Sequence, residues 1–340
     1  MPTSEPIVAA QAGPGRRAYF PDIVRLDGGG LLLGYREAEG HLGPDGRILL
    51  AASEDDGRRW SEPWVAVDGP HDDRDPKLAR LSDGTVLLSY FVTDWTTPGR
   101  HALLGVHVRR SEDGGRTWSE PARVGTSFAR AASHGGVVEL PDGDLLVPVY
   151  GNGPTDPWHR ATVVRSTDGG RTWPAESEAV VASAEGVRFQ EPTVTPLPGG
   201  ELVALLRLGP GYAHLARSFD GGRTWTRPVA TDLPASSHHA LALTTGEVLL
   251  TYGDFSDRYS PRRETVGRLI RRPAESWDGY GDLQLYDSGH DDQANPSSVE
   301  LAPDRFLTVS FDVSRGTVVA FESHAADYPG LGAATAPVLG

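Results

Sequence analysis

One short phrase occurs four times in this chain, and it constrains the fold more than any other feature. Each copy begins with Ser, has Asp two residues later and Gly four residues later, and ends with Trp. The copies occupy residues 53–60, 111–118, 166–173 and 218–225. Asp55, Asp113, Asp168 and Asp220 recur every 52–58 residues, a period that suits a four-stranded sheet with its turns and predicts a propeller-type array.

The phrase has the chemistry of a turn and not of a catalytic site. Its Asp accepts hydrogen bonds from nearby backbone N–H groups, its Gly adopts positive φ, and its Trp buries a ring between neighbouring sheets. We therefore interpret the four aspartates as turn braces. Trp277 follows Trp225 by 52 residues, which indicates a fifth, eroded copy.

A second turn signal gives the number of blades. A Leu followed by a Gly-rich or Asp-rich turn and then an apolar run recurs six times, starting at Leu26, Leu81, Leu140, Leu197, Leu243 and Leu301. No helical period is sustained between Tyr19 and Phe321. We predict an all-β, six-bladed β-propeller with four-stranded antiparallel blades. It forms a single domain over residues 1–340, with an extended N-terminal segment at 1–16 and a C-terminal tail at 323–340.

Composition excludes several classes of function. The chain has no Cys, so a disulfide framework, a thiolate nucleophile and a Cys-based zinc site are excluded, and we expect neither a metal nor a cofactor. A formal net charge of −14 argues against nucleic acid or an anionic membrane as a partner. The N-terminus lacks a basic leader and no long apolar span follows, which predicts a cytoplasmic protein. The oligomeric state is left open.

Four such Asp boxes on a six-fold repeat resemble the sialidase superfamily, also called the BNR or Asp-box family. The resemblance extends from Tyr19 to about Phe321 and implies an exo-glycosidase whose site lies at the mouth of the propeller. Sialidases hold the substrate carboxylate with three arginines and use a Tyr nucleophile, an activating Glu and an Asp acid/base. The segment from Gln190 to Arg207 is similar to the one that pairs the activating Glu with an Arg, so the resemblance gives those roles to Glu191 and Arg207.

The other family positions depart from the pattern. Tyr19 stands where the first arginine is expected, and Asn295 stands near the position of the nucleophilic Tyr. This departure favours a non-standard or inverting hydrolysis. The third arginine is one of Arg258, Arg262 and Arg263, of which we favour Arg262.

The topology of a propeller predicts the position of the site independently of the family resemblance. The first strand of each blade lines the channel, and the starts of these strands face one mouth of it. Glycoside hydrolysis needs two carboxyl groups, one protonated and one ionised. Besides Glu191, the candidate carboxylates are Glu37, on the loop where related enzymes keep their acid/base Asp, and Asp75, which flanking cations should hold ionised. The candidate substrate-binding residues are Arg36, His41, Arg74, Lys77, His134, Arg207, His239, Arg262 and Asn295. Tyr90, Tyr150 and Tyr252 are interpreted as packing residues.

Three classes of function follow. The first is a sialidase-like exo-glycosidase that removes a terminal, acidic sugar from an oligosaccharide or glycoconjugate. The second is a polysaccharide lyase, in which His134 or His239 beside a Tyr and an Arg would abstract a proton next to a uronate carboxylate. The third is a glycan-binding propeller that kept the fold without the chemistry.

Overall fold

The computed structural model describes residues 5–97, 100–155, 157–209 and 211–332. Their strands form six antiparallel sheets, and within the first five blades strands pair with their neighbours in sequence, whereas the sixth also includes the first strand of the chain. Neighbouring innermost strands contact one another around a central channel. The prediction of a six-bladed all-β propeller is confirmed, and three 3-10 turns, Asp27–Gly29, Ala175–Ser177 and Ala325–Asp327, are the helical elements of the described residues.

The strands of each blade are given from the channel outward. Blade 1 contains Arg17–Arg25, Leu31–Ala38, Arg47–Ser53 and Trp64–Val67. Blade 2 contains Asp72–Arg80, Val86–Asp94, Ala102–Ser111 and Ala122–Arg123. Blade 3 contains a divided inner strand, Arg130–Ala132 and Val138–Glu139, followed by Leu145–Asn152, Arg160–Ser166 and Ala179–Ala182.

The remaining blades follow the same order. Blade 4 contains Gln190–Pro196, Leu202–Arg207, His214–Ser218 and Val229–Ala230. Blade 5 contains Ala235–Ala242, Val248–Asp254, Thr265–Ile270 and Leu283–Tyr286. Blade 6 contains Gln293–Ala302, Arg305–Asp312, Thr317–His324 and Ile7–Gln11.

The apolar runs become second and third strands because both of their faces are covered. Every residue of Leu31–Ala38 and of Val248–Asp254 is buried, as expected for strands packed between two neighbouring sheets. The buried hydrophobic side chains form a separate cluster at each of the six blade interfaces. These interfaces hold the innermost strands around the channel.

Both chain ends complete blade 6. The strand Ile7–Gln11 pairs with Thr317–His324 as the outermost strand of that blade, so the segment that we predicted as an extended N-terminal stretch contributes a strand. The tail expected from residue 323 begins later, because Ser323 and His324 end a strand and a 3-10 turn follows. The last part of that tail, residues 333–340, lies outside the described residues.

The boxes are turn braces, as predicted. In the box of blade 3, Ser166 Oγ donates to Asp168 at 2.8 Å and accepts the Gly170 amide at 2.9 Å. The Trp of a box can also bond within it, as Trp225 Nε1 does to the Gly222 carbonyl at 3.1 Å. Trp277 makes the equivalent bond to the Pro273 carbonyl at 3.0 Å and is buried, so the eroded fifth copy keeps the same turn position.

Candidate functional site

A bulge recurs near the start of the innermost strands and defines one mouth of the channel. In five blades the register shifts by one residue there. The bulged residue has positive φ in each of them: Phe20, Asp75, Glu191, Ser237 and Asn295. Such left-handed backbone is strained for residues other than Gly and concentrates at functional positions. We call these five residues the bulge ring.

Proline explains how the sequence makes these bulges. Pro follows the bulged residue in four of the five blades, after Phe20, Asp75, Glu191 and Asn295. Because Pro has no N–H to donate, it fits the unpaired position of a bulge in a paired strand. In blade 3 the equivalent stretch, around Ser133, separates the two parts of the divided inner strand. The recurring Pro was the sequence signal for the bulge ring.

Glu191 is held as an anion. Its carboxylate pairs with Arg207 and accepts the Ser237 amide at 2.9 Å. Burial is the largest single influence and opposes ionisation, but Arg207, His134 and His238 together outweigh it and lower the pKa of Glu191 to about 2. The structure therefore brings the predicted Glu191 and Arg207 together.

Asp75 has the opposite electrostatic environment. Burial raises the pKa of Asp75 above its ordinary value, the charge of Glu191 adds to this effect, and Arg74 and Lys77 counteract it only in part. Its Oδ1 is buried without a hydrogen-bond partner in the described part of the chain. The flanking cations favour the ionised form of Asp75, as expected, but desolvation has the larger effect on its pKa.

Among the candidates for the third arginine, Arg263 interacts electrostatically with Glu191, and not the favoured Arg262. Arg263 is influenced by Arg207, Glu191 and Asp292, and its guanidinium donates to the Gln293 carbonyl at 3.0 Å. Arg262 instead pairs with Asp287 at 2.7 Å. Sequence alone could not choose between adjacent arginines, because the choice depends on which of the two side chains the loop turns toward the channel.

Two predicted site residues on blade 1 are engaged by partners within the protein. Arg36 is fully buried and pairs with Asp72 at 2.7 Å. The Glu37 carboxylate pairs with Arg47 at 2.7 Å and accepts the Gly13 amide at 2.8 Å. Neither side chain is free for substrate, so the predictions of Arg36 as a substrate ligand and of Glu37 as a catalytic carboxylate are corrected.

Arg74 and His41 do lie at the mouth. Arg74 donates to Asp72 at 3.1 Å and to the His41 carbonyl at 2.9 Å. The His41 ring is partly exposed and bonds Asp292 at 2.9 Å. Tyr19, which replaces an expected arginine, is buried beside them and has a raised pKa because of burial and the charge of Asp292.

The other predicted ligands lie deeper in the channel or in its wall. Lys77, His134 and His239 line a cavity of about 630 Å³ that runs along the axis beyond the bulge ring. Lys77 lies 3.7 Å from Asp22, and His134 bonds the His238 carbonyl at 3.2 Å.

Burial lowers the pKa of His134 well below its usual range and that of His239 to about 4. His239 accepts the Ser298 amide at 3.2 Å, and Asn295 is buried at its bulge. The histidines are therefore neutral at physiological pH and bonded to backbone.

Tyr150 lies at the candidate site, although sequence reasoning interpreted it as a packing residue. Tyr90 and Tyr252 have satisfied hydroxyls, as predicted: each accepts from an arginine, at 3.2 and 3.1 Å. Tyr150 instead lines an open cavity at the mouth. Burial raises its pKa, and the charges of Glu191 and Asp75 raise it further, so its hydroxyl stays protonated in the vicinity of both carboxyls.

Two negative observations apply to residues 5–332 apart from positions 98–99, 156 and 210. No group of three or more His, Asp or Glu side chains is placed there to hold a metal ion. No helix in that part of the chain has the length and apolar character needed to cross a membrane.

Comparisons with known proteins relate this geometry to others. A family model described as BNR repeat-like domain matches residues 20–329. A sialidase of Micromonospora viridifaciens is 28% identical over 266 residues, which are 68% of this chain and 39% of that protein. The chain thus spans about two fifths of the length of this relative.

Solved structures are similar over nearly the whole chain. A Dyadobacter fermentans protein of unknown function has a TM-score of 0.84 at 26% identity, covering 95% of this chain and 99% of that one. A Hadza microbial sialidase has a TM-score of 0.75 at 20% identity, with 95% and 69% covered. The intramolecular trans-sialidase from Ruminococcus gnavus has a TM-score of 0.71 at 12% identity, with 95% and 96% covered. The last two establish the shared fold alone.

Proposed function

We propose, since this chain belongs to the BNR repeat-like domain family within the sialidase superfamily, that it is a glycoside hydrolase that removes a terminal acidic sugar from a glycan. One observation carries the proposal. Two carboxyls on the bulge ring have pKa values displaced in opposite directions, with that of Asp75 raised and that of Glu191 lowered. Such a pair supplies an acid and an anion at the same pH.

The roles follow from the directions of the two pKa shifts. Asp75, whose pKa burial raises, donates a proton to the glycosidic oxygen as the bond to the anomeric carbon breaks. Glu191, ionised, stabilises the positive charge on the sugar ring and takes a proton from the water that attacks the anomeric carbon. Arg207 and Arg263 offer guanidinium groups to the carboxylate of the sugar.

Asn295 in place of a nucleophilic Tyr favours direct attack by water. A single displacement inverts the anomeric configuration, because water attacks the face opposite the leaving group. Proton NMR of the first-formed anomer tests this detail.

The proposal is tested by digestion of sialylated, ulosonate-containing and uronate-containing oligosaccharides in ¹⁸O-labelled water. Mass spectrometry of the wild-type digest should find label in a released monosaccharide. Glu191→Gln should lower the rate at least about 100-fold, the scale of a lost acid–base group. If the Glu191→Gln variant hydrolysed the substrate as fast as the wild type, the role assigned to Glu191 would be contradicted.

Glu201→Gln is the matched control. Glu201 lies in the same blade, pairs with Arg217 as Glu191 pairs with Arg207, and has a side chain 16% exposed against 15% for Glu191. It should lose comparable stability and keep its turnover. An unlabelled unsaturated product from the wild type would establish a lyase, and the absence of turnover on every glycan would favour a glycan-binding propeller.

A further inference from the structure

A second cavity, of about 480 Å³, opens beside the carboxyl pair. Arg74 and Gln190 line its wall, and they immediately precede Asp75 and Glu191 in the chain. Tyr150, whose pKa both carboxyls influence, lines it as well. A glycan whose terminal sugar lies against Asp75 and Glu191 can therefore extend into this cavity.

The charge of the cavity is unusual for this protein. The chain has 46 Asp and Glu against 32 Lys and Arg, yet the described residues that line the cavity include three arginines and no Asp or Glu. Of these arginines, Arg74 pairs with Asp72 at 3.1 Å, and Asp72 pairs with Arg36 as well. The cavity thus has a positive potential within an acidic molecule.

The other two arginines, Arg130 and Arg188, are exposed and lack carboxylate partners. Arg130 donates to His101 Nε2 at 3.3 Å and forms no ion pair within the described ranges. Arg188 has neither a hydrogen bond nor an ion pair from its guanidinium to any residue that the structure describes. Unpaired guanidinium groups lining a cavity are suited to bind a sulfate or carboxylate by paired N–H···O bonds.

Aromatic rings supply the apolar side of the same cavity. Trp95 and His101 are in contact, with ring centroids 5.1 Å apart, and Tyr150 lies across the cavity wall. Aromatic faces beside charged donors are suited to a sugar ring, which has apolar C–H faces and a polar edge.

We propose that this cavity is a leaving-group subsite that binds a second anionic group, a sulfate or a uronate carboxylate, on the sugar next to the scissile bond. Arg130 and Arg188 bind the anion and Trp95 contacts the ring. The preferred substrate then carries two negative charges, one on the terminal sugar and one on its neighbour. This inference rests on the proposed function for the direction of the glycan.

Equilibrium binding tests the subsite without any turnover. The probes are lactose, 6′-sulfolactose and a disaccharide that ends in glucuronate, each titrated by calorimetry into the wild-type protein at low salt. A sulfate or carboxylate held by two arginines should bind about tenfold tighter than neutral lactose. The comparison of the two anionic probes identifies which anion the subsite prefers.

Arg130→Gln and Arg188→Gln should each reduce that preference, and the double variant should bind all three disaccharides equally. Arg227→Gln removes one exposed arginine outside the cavity and should leave the preference intact. Added NaCl should weaken the preference of the wild type, since exposed ion pairs are screened. Equal binding of neutral and anionic probes by the wild type would overturn the subsite.

The kinetic arm separates this inference from the proposed function. If 3′-sialyllactose is hydrolysed, its 6′-sulfated form should have a lower KM in the wild type, and this advantage should vanish in the double variant. If no glycan is hydrolysed but the disaccharides bind as expected, the hydrolase proposal fails and the subsite stands. Loss of the anion preference in Arg227→Gln as well would show a general charge effect and contradict the assignment.

Discussion

Asp75 and Glu191 occupy the same bulge position in blades 2 and 4, yet their surroundings affect ionisation in opposite directions. Glu191 has Arg207 and the Ser237 amide, whereas a buried Asp75 oxygen has no hydrogen-bond partner among the described residues. An unsatisfied buried polar group costs free energy of folding. The difference between these two residues is therefore one of stability as well as chemistry.

Amide substitutions at the two positions should change stability in opposite directions at pH 7. Asp75→Asn removes a carboxyl whose ionisation burial disfavours, so the free energy of unfolding should rise while turnover falls. Glu191→Gln removes the anion that pairs with Arg207 and should cost about 2–3 kcal/mol. Urea unfolding of both variants measures this, and changes of equal sign would contradict the assignment.

The pH dependence of these effects has a defined sign. The stabilisation from Glu191 is fully present above its unfolded-state pKa of about 4.3 and is lost as the pH falls toward the folded pKa of about 2. The penalty from Asp75 begins above its unfolded-state pKa of about 3.9 and grows as the pH rises through its raised folded value. Catalysis that needs protonated Asp75 should decline over that same rise.

Sequence reasoning assigned site roles to two adjacent residues of the second strand of blade 1, and the structure pairs both within the protein. Asp75 and Glu191 lie on the bulge ring, whereas Arg36 pairs with Asp72 and Glu37 with Arg47. Consecutive residues of a strand point to opposite faces, and both faces of this second strand are packed. Two adjacent charged residues there can only form separate buried ion pairs, a consequence that residue type alone does not reveal.

At the scale of elements, arginines on the third strands of blades 2, 3 and 4 join each of these blades to the box of the next. Arg110 donates to the Gly169 carbonyl, Arg165 to that of Gly221, and Arg217 to that of Pro273 at 3.0 Å. The last contact reaches the eroded box of blade 5. The turn position is therefore kept where its Asp and Gly are gone, because a neighbouring blade bonds its backbone.

The box is expected to stabilise its blade through the buried Ser. Ser166→Ala removes the hydroxyl that donates to Asp168 and accepts the Gly170 amide, which should cost about 1–2 kcal/mol. The pKa of Asp168, now lowered to about 2, should also rise. Chemical denaturation and carboxyl NMR titration measure the two effects. Ser127→Ala, at an exposed serine, is the control, and equal losses in both variants would refute the role of the box.

At the scale of the whole molecule, the ring of blades is closed by a strand that the sequence analysis did not predict. The boxes and turns predicted six repeats and hence the fold, but Ile7–Gln11 is a five-residue strand with no box beside it. Its assignment to blade 6 follows from pairing with residues 317–320, more than 300 positions away. Local sequence patterns do not specify such a distant pairing.

Two substitutions in this strand should separate closure from a surface effect. Ala10 is 5% exposed and packs in the cluster between blades 6 and 1, whereas Val8 is 50% exposed. Ala10→Asp buries an unpaired charge and should cost about 3–5 kcal/mol, whereas Val8→Asp should be nearly neutral.

The loss of stability in Ala10→Asp should also appear in tryptophan fluorescence, although blade 6 contains no Trp. Opening the ring at blade 6 should destabilise the neighbouring blades, which do contain Trp. The unfolding transition followed by circular dichroism should shift together with the one followed by fluorescence. A transition confined to circular dichroism would show that blade 6 unfolds alone.

Different residue types can occupy the positions of the bulge ring without a change of fold. Phe, Asp, Glu, Ser and Asn all adopt the same left-handed backbone there, so the blade fixes the conformation regardless of the side chain that it carries. Each blade can thus acquire or lose a reactive group independently of the others. A propeller of this kind can diverge in reaction or substrate one position at a time, while its interfaces between blades are inherited unaltered.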